Sequence, residues 1–87
     1  MAEIFTIQGI SLNIYALDQE PPHLHVKYGN NEFVITIDGR EIEGKGSYAA
    51  IKVVNDFIDG CHDELLGLWD KARRGERVPR LNDDHNE

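Results

Sequence analysis

The chain is short of cysteine, of positive charge and of long apolar runs, and each shortage removes a class of protein. Cys61 stands alone among 87 residues, so no internal disulfide can form. Packing must hold the fold, as it does in a reducing compartment. No apolar stretch approaches the roughly 20 residues that cross a bilayer. Met1-Ala2-Glu3 opens no basic-then-apolar leader, and a cytoplasmic protein without membrane contact is expected. Nine Lys and Arg stand against sixteen Asp and Glu, and the net charge of −7 argues against nonspecific binding to nucleic acid or anionic lipid.

What is present is a folding composition, 40% hydrophobic and 29% charged, long enough for one domain with a thin core. The charge is unevenly spread. Residues 1–70 carry 4 basic and 12 acidic side chains, whereas Lys71, Arg73, Arg74, Arg77 and Arg80 form a basic block interrupted only by Glu76. Such a block reads either as a helix end, where cations complement the macrodipole, or as a docking site for an acidic partner or a phosphate backbone.

Hydropathy alternates through the first half. Ile4 to Ile7 is short and β-prone, Gln8-Gly9 is a turn, and Ile10, Leu12 and Ile14 alternate with Ser11, Asn13 and Tyr15. Asp18 to Pro22 is a connection, since neither proline donates to a ladder. From His23 to Tyr28, Leu24, Val26 and Tyr28 share one face while His23, His25 and Lys27 share the other. Gly29-Asn30-Asn31 reverses the chain, Phe33, Ile35 and Ile37 alternate again, Asp38-Gly39 predicts a two-residue hairpin, and a short last strand ends near Gly44. After Gly46 the period becomes helical. Ser47 is a candidate N-cap and Gly60 a stop for one helix; Asp63 is a candidate cap for a second, which carries Leu65, Leu68, Trp69 and Ala72. The expected fold is α+β, an N-terminal antiparallel meander of four to five strands packed against two C-terminal helices. Residues 1–76 form the domain and 77–87 a mostly flexible tail.

Chemistry concentrates on Pro21-Pro22-His23-Leu24-His25-Val26. Two histidines two apart on a strand leave the same face with Cβ atoms about 7 Å apart, close enough to share a divalent transition metal ion. Asp18 and Glu20 are the nearest further ligands in sequence, and His62 joins only if the second helix begins beside this strand. The competing readings are histidines that hydrogen-bond neighbouring strands, and an acid–base pair of a hydrolase or ribonuclease, whose RNA substrate an acidic surface would repel. Cys61 falls on the apolar side of a helix as an inert thiol. Gly44-Lys45-Gly46-Ser47 lacks the glycine spacing of a phosphate loop, and Asp83-Asp84-His85 sits in the tail.

These same residues resemble a known family. Ile10 to Tyr15, Glu20-Pro21-Pro22-His23-Leu24-His25-Val26-Lys27-Tyr28-Gly29, Gly44, and a second helix with Glu64-Leu65-Leu66 and Trp69 look like the bacterial family called domain of unknown function 4160, over residues 9 to 81. Family members often place an aromatic where Leu24 stands and a Leu-Pro pair where Gly46-Ser47 stands, and neither difference removes a candidate ligand. The resemblance implies small bacterial or phage proteins, often set like members of toxin–antitoxin pairs, with no assigned activity.

The expected role is therefore a protein-binding or regulatory module, partnered by another protein or a second copy, with a binding role favoured over an enzymatic one. The alternative is a small metal-binding protein or hydrolase built on His23 and His25.

Overall fold

The computed structural model describes residues 2–81, with the side chain of Ala2 left aside. Five strands, β1 (Ala2–Ile7), β2 (Ile10–Ile14), β3 (His23–Tyr28), β4 (Asn31–Thr36) and β5 (Ile42–Gly44), precede two helices, α1 (Tyr48–Gly60) and α2 (His62–Arg73). The strands make one antiparallel sheet in chain order. The α+β fold is the expected one.

The turns follow from backbone chemistry. Gln8 and Gly9 both adopt positive φ, 52° and 80°, the geometry of a two-residue turn matched to strand twist, and they bring Ile7 opposite Ile10. Gly29 at φ 61° does the same between Tyr28 and Asn31. The β4–β5 connection differs from the two-residue hairpin expected at Asp38-Gly39. Thr36 N–H donates to Glu41 O at 3.0 Å and Arg40 N–H to Thr36 O at 3.2 Å, with Arg40 in the left-handed region at φ 59°. Arg40 is held there by its guanidinium, which donates to Ile37 O, to Asn55 Oδ1 and to Asp59 Oδ1 at 2.7, 3.0 and 2.8 Å. That clamp fastens the hairpin tip to α1.

One sheet face and both helices enclose the core. Leu12, Leu24, Val26, Phe33 and Ile35 point to it from the strands, Ala50, Val54 and Ile58 from α1, and Leu65, Leu68, Trp69 and Ala72 from α2. Each fully buried aliphatic side chain contributes about 1.5–3 kcal/mol. A register shift in β1 between Glu3 and Phe5 lets the consecutive residues Ile4 and Phe5 both be buried.

Ser47 caps α1 by accepting from the Ala50 N–H at 3.1 Å. α1 runs through Gly60 and breaks at Cys61, which also stands at the N-cap of α2; Asp63, expected as that cap, lies inside the first turn beside Glu64, where a carboxylate still opposes the dipole. Cys61 Sγ is 3.2 Å from Phe57 O, and burial, with Glu64 nearby, pushes the thiol up to about 11. The thiolate that a nucleophile needs is therefore scarce at neutral pH. Past α2 the chain runs extended, with Val78 and Leu81 packed against the core, Leu81 N–H donating to Ile4 O at 2.8 Å and Arg80 bonded to Glu3 at 2.7 Å. Asp83, Asp84 and His85 lie outside the described residues. Among those described, no helix is long and apolar enough to cross a membrane.

Candidate metal centre beside the third strand

The period of β3 puts Leu24 and Val26 into the core and leaves His23, His25 and Lys27 half-buried on the face that the helices do not cover. Across that face His23 lies opposite Thr36, and His25 lies between Asn13 and Val34. Asn13 is buried, with its amide donating to Ser11 Oγ and to His25 O at 3.1 and 3.4 Å.

The loop from Tyr15 to Pro22 is fastened at several points, and this places Asp18. Leu17, at φ 59°, donates its N–H to Ala72 O at 2.9 Å, and Arg73 donates to the main-chain oxygen of Asp18 at 2.6 Å. Trp69 Nε1 donates to Glu20 Oε2 at 3.3 Å, and Pro22 O accepts from Ile37 N–H at 2.9 Å. Asp18 is thereby turned over β3. A single oxygen, Asp18 Oδ2, lies 2.9 Å from His23 Nε2 and 2.9 Å from His25 Nε2. The three ligand atoms all fall within 4.8 Å of one another. Their side chains are 23%, 13% and 24% exposed, so the group is sheltered yet reachable.

Aromatic neighbours fix both rings. Tyr15 stacks on His25 at 3.9 Å with 2° between the planes, and Trp69 lies tilted against His23. His23 Nδ1 is 2.8 Å from Pro21 O. A carbonyl only accepts, so Nδ1 carries a proton, and Nε2 then faces an ionised carboxylate that also only accepts. That contact is attractive only where the two atoms share a proton, or where both ligate one cation lying to the side of the line that joins them. Partial burial works to raise the Asp18 carboxyl, but the hydrogen bonds from His25, from the Gln19 N–H and from His23 outweigh it and hold the group below the usual carboxylate range.

Of the four residues singled out as ligands, the fold brings together Asp18, His23 and His25, while Glu20 is turned to Trp69. His62 lies elsewhere, its Nε2 2.6 Å from Asp38 Oδ1 and its Nδ1 3.1 Å from Asp63 Oδ1. Within the basic block, Lys71 and Arg73 lie in the last turn of α2, Arg73 reaches Asp18, Arg74 pairs with Glu76, Arg80 pairs with Glu3, and Arg77 is exposed. Tyr15, Trp69 and Arg73 are the neighbours that residue type alone did not assign to the site. Tyr15 could have been found from register, because it follows Asn13 on the face that Asn13 shares with His25. A hollow of about 450 Å³ opens beside the cluster, lined by Asp18, His23, Thr36, Glu41 and Glu43 among others.

An antiparallel meander with two helices on one face and a histidine pair on the other defines a small α+β domain. The model of the family described as Domain of unknown function (DUF4160) matches residues 9–70, and the chain belongs to that family. No curated protein and no solved structure matches it.

Proposed function

We propose that this domain binds a divalent transition metal ion through His23 Nε2, His25 Nε2 and a carboxylate oxygen of Asp18. The observation that carries the reading is His23, whose two ring nitrogens both face acceptors, Pro21 O and Asp18 Oδ2. A metal-bound histidine characteristically donates its other N–H to a backbone carbonyl, which fixes the tautomer and aims the lone pair. Two imidazoles and one carboxylate suit zinc, iron(II) or nickel rather than calcium or magnesium. Three protein ligands leave at least one coordination position for water or substrate, and an ion so placed acts as a Lewis acid and lowers the pKa of bound water. Because ligation displaces ring protons, affinity falls as pH falls.

Native mass spectrometry of chelator-treated protein titrated with zinc, iron(II) or nickel tests this directly. One equivalent taken up by the parent chain, and lost in His25→Ala and in Asp18→Ala, is the expected result. Equal uptake by the parent and both variants, or none by any, would overturn it.

A further inference from the structure

Both helices pack on one face of the sheet, and the opposite face has no layer over it among the described residues. Two hollows lie side by side on this open face, about 450 and 280 Å³, and share Val34 and Glu43 in their walls. Together they make a trough that runs along β3, β4 and β5. Val34 and Thr36 form its half-buried floor, and Glu41 and Glu43 form its outer wall. Glu3, Asp59 and Glu76 are paired with arginines elsewhere, whereas Glu41 and Glu43 stand exposed along the trough, which Lys27 and Glu32 also line.

The register sharpens the fit. Glu43 pairs with Val34, and Glu41 binds the main chain of Thr36, so both carboxylates rise on the open face two residues apart. Alternate residues of an extended strand are about 7 Å apart, the same period as the side chains of an extended ligand lying alongside. Self-pairing is opposed, since a second copy of β5 would set Glu against Glu. The chain's own basic block is a poor occupant as well, because Arg73, Arg74 and Arg80 are held by contacts within the fold.

We propose that the open face docks an extended segment of a different protein, with Lys or Arg at alternate positions meeting Glu41 and Glu43 and a small apolar residue over Val34. The trough borders the proposed metal ligands, with Asp18 and His23 in the wall of one hollow and His25 in the wall of the other, but the contacts with Glu41 and Glu43 do not require the ion. Exposed ion pairs contribute about 0.2–1 kcal/mol each, so the contact is weak and salt-sensitive.

The test uses the full chain and a fluorescein-labelled octapeptide of alternating lysine and alanine, followed by fluorescence anisotropy at low salt. Binding is expected, weakened about two- to fivefold by each of Glu41→Gln and Glu43→Gln. Glu64→Gln with Asp70→Asn, the same charge change on α2, is expected to leave it unaltered. No binding, equal loss from both pairs of variants, or displacement by spermine at matched charge would each overturn the proposal. All runs are made with chelator present, so the result does not depend on the ion and failure of the metal reading is scored separately.

Discussion

The indole of Trp69 lies 4.9 Å from the imidazole of His23, ring centre to ring centre, with 55° between the planes. Trp69 is the chain's only tryptophan, buried on its core side and hydrogen-bonded to Glu20 on the other. Intrinsic emission therefore reports on a candidate ligand without any label. Adding zinc to chelator-treated protein is expected to change Trp69 emission saturably at one equivalent, and His25→Ala, which leaves the indole's own contacts in place, should abolish the change. An identical response in that variant would separate the signal from the site.

Asp18 is held ionised more readily in the fold than in the unfolded chain. Its contribution to stability is present above the ordinary carboxylate pKa, about 3.9, and is lost as pH falls through the lower folded value. Urea midpoints of the parent chain should thus exceed those of Asp18→Asn near pH 6 and converge with them on acidification. A constant gap across that range would show that Asp18 gains nothing from its histidines.

His62 shows the opposite sign. Asp38 first, then Asp63, raise its pKa above the ordinary value of about 6.5. The stabilising contact is complete below that value and disappears as pH rises through the folded pKa. An NMR titration of the His62 ring should move downward toward the ordinary value in Asp38→Asn. Because the site is at the surface, salt should weaken the effect too.

Gly44 adopts φ 106°, and a Cβ there would meet Glu32 O at 2.7 Å and Phe33 Cα at 2.9 Å, both backbone atoms. Gly44→Ala is expected to cost about 1–3 kcal/mol and to lower the melting temperature by about 4–8 °C for each kcal/mol. Gly29→Ala shares a positive φ but has open space around it, so it should cost less. Equal losses at the two sites would remove the steric part of the argument.

The features readable in the sequence are those decided by near neighbours. Leu24 and Val26 alternate with His23 and His25 because a strand repeats every two residues, and Ser47 caps α1 through an N–H three residues on. Arg40 resists such reading, since Asn55 and Asp59 on α1 hold it in a conformation that residue type does not favour. The choice of Asp18 over Glu20 is likewise made far away: Ala72 and Arg73 hold the loop around Asp18, and Trp69 takes the Glu20 carboxylate. Two acids two residues apart look equivalent until a helix fifty residues later sorts them. The N-cap of α2 falls at Cys61, ahead of Asp63, because α1 leaves no linker in which a conventional cap could sit.

The hydrogen bond from Leu81 to Ile4 joins positions that are almost the whole described chain apart. Seen as a path, the described stretch is nearly a closed ring, with Ile4 and Leu81 meeting at the outer strand. Such a ring can be reopened elsewhere. A circular permutant cut in the exposed turn at Gly29-Asn30, with a short glycine linker across the old ends, would keep every strand neighbour and place new termini beside the open trough.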